Sequence, residues 1–219
     1  KNTRDEFINF GIKKEKTKLL YNFHHYDFSI DEIEDKLYNI SSNKTLQIIF
    51  IGSIDKRKGI LCLLDAISRL RMKYILHICG QITDESIIDA YHNKIRDINT
   101  GQIIEHGYVS GDEKKKILKT GHLLVLPSFG EGFPIVLLEG ISAGCALITT
   151  DVGASKEVFT SDNCLFSPIG DVDGLRKCIE FFDINREYLI NTCLNNYKLS
   201  KKYTLNNFMN EWLEIFKVN

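Results

Sequence analysis

The chain has 219 residues, 43% of them hydrophobic, enough to bury one sizeable core or two small ones. Its 28 Lys and Arg set against 29 Asp and Glu give a net charge of −1, which argues against a nucleic-acid partner or a general attraction to anionic lipid and makes any anion site a local one. No apolar run approaches the roughly 18 residues of a membrane-spanning helix, and KNTRDEFINF lacks the apolar core of a secretion signal, so the expected compartment is the cytosol.

In chain order, KNTRDEFINFGI reads as a helix ended by Gly11 and KLLYNF (18–23) as a short strand. DFSIDEIEDKLYNISSNK (27–44) reads as a polar connection, and the segment before residue 46 as an attachment with a boundary near residue 22. From residue 46, short β-rich apolar runs alternate with stretches of helical period: LQIIFI (46–51), YILHIC (74–79), IIEH (103–106), LLVLP (123–127), ALITT (146–150) and CLF (164–166). Leu61, Leu64, Ile67 and Leu70 mark one crossover helix and TDESIIDAYHNKIRDI the next. Ser110 and Glu113 form an expected capping box for a helix over 111–119, with Lys114, Lys115 and Lys116 as its solvated face. Proline inside a helix costs about 3 kcal/mol, so the helix within PSFGEGFPIVLLE begins at Pro134, leaving Glu131 in a loop and Glu139 in the helix. After residue 170 the chain turns helical, with Asp171 as a cap, Leu175, Ile179 and Phe182 on one face, and a last helix repeating Phe208, Trp212 and Ile215 that needs a neighbour to cover it. This order predicts an α/β fold, a Rossmann-like doubly wound parallel sheet of about six strands with helices on both faces.

Cys62, Cys79, Cys145, Cys164, Cys178 and Cys193 show no ligand spacing and sit mostly in apolar runs, as buried free thiols do. The pair His24 and His25 lacks a nearby partner for a metal site.

Ligands of an open parallel sheet bind beyond the carboxyl ends of the strands. Three loops there attract attention. GSIDKRKG (52–59) places Lys56, Arg57 and Lys58 before a helix start, where cations oppose the helix dipole unless an anion lies between them; the alternative is a solvated charge run. It matches neither GxGxxG nor a phosphate-binding loop ending in GK[ST]. In the second loop, Gly130 and Gly132 loosen the backbone and Pro134 leaves the amides of Phe133, Ile135 and Val136 to face an anion, with Glu139 placed to accept from a vicinal diol and Glu131 facing the other side. DVGASKEVF (151–159) offers the amides of Ala154 and Ser155 in the same way.

The sequence of motifs GSIDKRKG, HGYVSGDE, LLVLPSFGEGFPIVLLEGISAG, LITTDVGASKEV and SPIGDVDGL resembles the C-terminal, donor-binding domain of family-four retaining glycosyltransferases of the GT-B fold, from about residue 20 to the end, with the domain itself expected over 22–219. The resemblance implies that Lys58, with Arg57, Gly52 and Ser53 of the same loop, contacts a donor diphosphate. It implies that Glu131 is the catalytic carboxylate at the transferred sugar, and that Gly132, Phe133, Pro134, Ile135 and Val136 cradle the diphosphate. Glu139 then takes the ribose, and Gly107 and Tyr108 line the base. Ser53 stands where the family commonly has arginine, leaving Arg57 to substitute from another angle or the clamp weaker. The DVD at 171–173 matches a metal motif of another glycosyltransferase fold, but its place makes Asp171 a helix cap.

On the same resemblance residues 1–21 are the remnant of an N-terminal domain and linker, and the chain is one half of a two-domain enzyme. Its implied partners are a nucleotide-sugar donor, UDP-linked ahead of GDP-linked, the N-terminal GT-B domain, and a saccharide or polyprenyl-linked acceptor. No metal or other cofactor is implied. The implied setting is bacterial surface polysaccharide assembly, cytoplasmic or peripheral on the inner membrane face. The alternatives are a nucleotide-binding module without catalysis, the donor-binding subunit of a split enzyme, and a dinucleotide oxidoreductase, which lacks its fingerprint glycines here.

Overall fold

A computed structural model describes residues 3–216. Six strands form one parallel sheet: β1 (Leu46–Ile51), β2 (Tyr74–Cys79), β3 (Gln102–Gly107), β4 (Leu123–Leu126), β5 (Ala146–Thr150) and β6 (Cys164–Ser167). Their order is β3-β2-β1-β4-β5-β6, the doubly wound arrangement in which the chain crosses from one side of β1 to the other after β3. β4 and β5 are buried along their whole length, as continuous apolar runs between two helical layers must be. Five of the six cysteines are buried free thiols and Cys178 is half-buried.

The helices are α1 (Thr3–Asn9), α2 (Ile30–Ser42), α3 (Ile60–Ile67), α4 (Ile88–Asp97), α5 (Gly111–Thr120), α6 (Ile135–Ser142), α7 (Ser155–Val158), α8 (Val172–Ile184), α9 (Arg186–Ser200) and α10 (Leu205–Phe216). On one face α3 packs with α4 and α8, and on the other α9 packs with α2 and α6. Asp171 caps α8, its carboxylate accepting from Gly174 N at 2.9 Å, and Asp173 pairs with Arg69 and Arg176.

Three local expectations need correction. Residues 18–23 form no strand, for they lie off the sheet and pair with none of its edges. The stretch 27–44 is a helix rather than a connection: Ser29 and Glu32 close a reciprocal capping box, and Ile33, Lys36 and Ile40 turn inward. Lys36 is buried there because its ammonium donates to the carbonyls of Leu118 and Ala143, which close α5 and α6. At the start of α5 the expected box is not formed; Ser110 occupies the cap position, but its side chain makes no capping bond. In the expected first helix, Lys1 and Asn2 lie outside the described residues.

α10 buries none of its residues fully, although the Phe208 ring packs tilted against Phe23 at 4.8 Å between centroids. Met209, Trp212, Leu213 and Phe216 are exposed.

Candidate active site at the strand-order reversal

The loops after β1 and β4 meet where the strand order reverses. Gly59 makes this approach feasible: at φ +72° it opens α3, and a Cβ there would lie 2.1 Å from the Pro127 carbonyl oxygen. The amide of Phe129 donates to the carbonyl of Arg57 at 2.7 Å, fastening one loop to the other.

Across this junction Lys58 Nζ lies 2.6 Å from Glu131 Oε1 and Arg57 Nη1 lies 3.4 Å from Oε2. Arg57 also donates to the Gly130 carbonyl at 3.0 Å. The anion that the clustered cations demand is therefore the protein's own Glu131. The Lys58 stem crosses Gly52, where a Cβ would sit 3.6 Å from its carbons. Two residues that the sequence reading passed over complete the arrangement. Ser128, fully buried, donates from Oγ to Glu131 Oε1 at 2.7 Å. Asp55 accepts from the Lys58 amide at 2.7 Å and from Ser53 Oγ at 2.5 Å. Ser53 is thus committed to Asp55, and the guanidinium of this loop comes from Arg57.

Beyond Glu131, the amides of Phe133, Ile135 and Val136 donate to no backbone carbonyl among the described residues, and Pro134 is the N-cap of α6. The loop after β5 plays a different part from the one expected of it. Its Ala154 amide donates to the Gly132 carbonyl at 3.0 Å and its Ser155 amide to Val152, so neither faces an anion. Gly153, at φ +58°, presses against that same carbonyl and braces the loop carrying Glu131.

Glu139 belongs to a second cluster. Buried in the mainly apolar α6, its Oε2 lies 2.5 Å from Lys114 Nζ in an ion pair. Lys114 lies over the Tyr26 ring, 5.9 Å from its centroid. Burial, reinforced by the charges of Glu139 and Asp112, raises the Tyr26 hydroxyl above its ordinary value. Lys114 thus departs from the expected solvated face: its partner lies in the interior, and sequence offers no sign of which lysine of three turns inward. Gly107, at φ +67°, ends β3, and Tyr108 follows with an exposed ring.

A cavity of about 720 Å³ opens in front of Glu131, walled by Gly132, Phe133, Gly153 and Glu157 on one side and by Tyr21 and the segment before it on the other. Lys58, Glu139 and Tyr108 do not line it.

Comparison with known proteins bears on this arrangement. The family model described as glycosyl transferases group 1 matches residues 45–182. An uncharacterized glycosyltransferase of Methanocaldococcus jannaschii is 24% identical over 224 residues, covering 95% of this chain and 56% of the relative. The N-acetylgalactosamine-N,N'-diacetylbacillosaminyl-diphospho-undecaprenol 4-alpha-N-acetylgalactosaminyltransferase of Campylobacter jejuni is 26% identical over 198 residues, covering 85% of this chain and 51% of the relative. Anabaena HepE, solved in complex with UDP, superposes with a TM-score of 0.81 at 17% identity, covering 99% of this chain and 61% of that one. The chain therefore spans about half the length of these two curated relatives.

Proposed function

The chain belongs to the glycosyl transferase group 1 family, and from that premise we propose that it is the donor-binding half of a retaining, metal-independent hexosyltransferase. The observation that carries this reading is the contact of Lys58 and Arg57 with Glu131 at the strand-order reversal, beside three unspent helix-start amides. Lys58, Arg57 and those amides bind the donor diphosphate. As the bond from the sugar's anomeric carbon to the diphosphate breaks and a new bond to the acceptor hydroxyl forms, they stabilise the charge gathering on the leaving group. Glu131 addresses the transferred sugar. Glu139, held by Lys114, accepts from the ribose diol. Gly107 and the Tyr108 ring border the base.

The preferred base is uracil, in line with the UDP held by HepE. The acceptor is a saccharide or lipid-linked saccharide of surface polysaccharide assembly, in line with the diphospho-undecaprenol in the name of the Campylobacter relative. That reaction places the enzyme in the cytoplasm or on the inner membrane face. An N-terminal GT-B domain supplies the facing wall of the cleft and covers the apolar residues of α10, with residues 1–21 as its remnant and linker.

Titration calorimetry with UDP, GDP, UDP-glucose, UDP-N-acetylglucosamine and GDP-mannose tests this, with UDP and one UDP-sugar expected to bind. A folded chain that takes none of them overturns the reading. In the longer protein, Glu131→Ala is expected to abolish turnover; a chain that binds donor yet shows no turnover to lose is a binding module instead.

A further inference from the structure

Glu131 stands between two glycines with open space at their α carbons, since a Cβ on Gly130 or Gly132 would meet nothing within 4 Å. Gly153 and the Ala154 amide brace the backbone of this loop, but side chains on its neighbours do not steer the carboxylate. Three polar groups do: Lys58 and Ser128 on Oε1, and Arg57 at the longer distance on Oε2. They differ in what a diphosphate does to them. Lys58 and Arg57 are cations whose charge a diphosphate competes for directly, so donor binding draws them away from the carboxylate. Ser128 is neutral, fully buried, and held at the end of β4, where its carbonyl accepts from Thr150 Oγ1. A diphosphate gains nothing from it.

Resting on the donor-binding reading above, we propose that Ser128 is the positioning residue of Glu131: it retains Oε1 when the cations turn to the diphosphate, and so presents Oε2 to the transferred sugar. Glu131 is then a sugar-reading group only while Ser128 fixes it, and the two cations, Lys58 sharing Oε1 with Ser128 and Arg57 on Oε2, act as a donor-sensitive latch. Ser128 itself touches neither the sugar nor the diphosphate. Its effect appears only in the extra affinity that the sugar adds to the nucleotide.

That quantity is the ratio of the UDP and UDP-sugar dissociation constants, read by calorimetry on the 219-residue chain with UDP against UDP-glucose, UDP-galactose and UDP-N-acetylglucosamine, and with GDP against GDP-mannose. Ser128→Ala is expected to cut the ratio about tenfold to a hundredfold, the scale of one hydrogen bond to a charged group, while shifting UDP affinity less than about twofold. Ser128→Cys, similar in shape with a weaker donor, is expected to fall between. Glu131→Gln is expected to abolish the ratio and to raise UDP affinity, because the cations lose their internal partner. Thermal midpoints of all variants confirm that each is folded. A Ser128→Ala chain that keeps the full ratio, or loses UDP and UDP-sugar affinity equally, overturns the proposal and leaves donor binding standing. A wild-type chain that binds UDP with no gain from any sugar also overturns it. A chain that binds no nucleotide takes down the donor-binding reading and this one together.

Discussion

Lys58 Nζ and Glu131 Oε1 stand 2.6 Å apart although 73 positions separate them in the sequence. Both side chains are largely shielded, at 14% and 8% exposure, so the pair is less screened than a surface salt bridge. Lys58 has to serve the carboxylate and the proposed diphosphate in turn. Replacing it with methionine is expected to weaken UDP binding by about 1.5–3 kcal/mol, the range for hydrogen bonds to charged groups. Arginine at that position is expected to restore only part of the loss, because its planar fork does not overlay a point charge. Calorimetry at low and high salt checks this, and undiminished UDP binding by Lys58→Met contradicts it.

Lys114 and Glu139 form the second shielded pair. Removing one partner of a buried pair is costly, whereas removing both need not be. Lys114→Met is expected to destabilise the chain by about 3 kcal/mol in urea unfolding. Combining it with Glu139→Leu is expected to recover most of that stability but none of the nucleotide affinity. Additive stability losses in the double variant show that the ion pair has no such coupling.

Acid sensitivity should originate far from this rim. His122 precedes β4 at the opposite end of the strands, and its imidazole is pushed down to about 3 by burial, with Lys36 and Arg186 adding to the effect. Burial also lowers His24 and His77. The folded state therefore refuses a proton that the unfolded chain accepts below about 6.5. Stability is expected to be level above that value and to fall as the pH drops from about 6.5 towards 3, by up to about 1.4 kcal/mol per unit from His122 alone. Urea midpoints at four pH values, with His122→Gln beside the wild type, measure the effect; equal slopes for the two chains assign it elsewhere.

Gly153→Ala separates site from fold. Its Cβ would fall 2.1 Å from the Gly132 carbonyl oxygen and 2.5 Å from that of Glu131, on a backbone at φ +58°. The strain is expected to displace the loop of Glu131 and weaken UDP-sugar binding by at least tenfold, with a stability loss of roughly 1–3 kcal/mol. Unchanged UDP-sugar affinity would mean that the brace is dispensable.

The sheet was legible because β1, β4 and β5 above all are short, nearly unbroken apolar runs, which two covered faces require, with the half-exposed β3 as the exception. Lys58 and Arg57 stood out in the sequence because cations before a helix start oppose its dipole, and Glu131 because Pro134 leaves it in a loop. What escaped depended on the third dimension. α2 reads as polar because it buries only three positions, one of them a lysine whose partners are helix-end carbonyls. Its capping box, Ser29 and Glu32, was the available signal. Ser128 and Asp55 look like ordinary turn residues until the side chains they hold are seen. His77 and His106, 29 positions apart, come within 2.9 Å because β2 and β3 lie side by side in parallel register.

The ladder between β1 and β4 joins only Ile48 to Leu123 and Ile49 to Leu124, whereas β1 pairs with β2 over six positions. Two three-stranded units of the sheet thus meet along a short seam, while α3 of the first packs on α8 of the second and one hydrophobic core spans both. Lys58 belongs to the first unit and Glu131 to the second. A donor gripped by both would act as a staple across that seam, so its binding energy would appear as slowed amide exchange throughout both units rather than as the ordering of one loop.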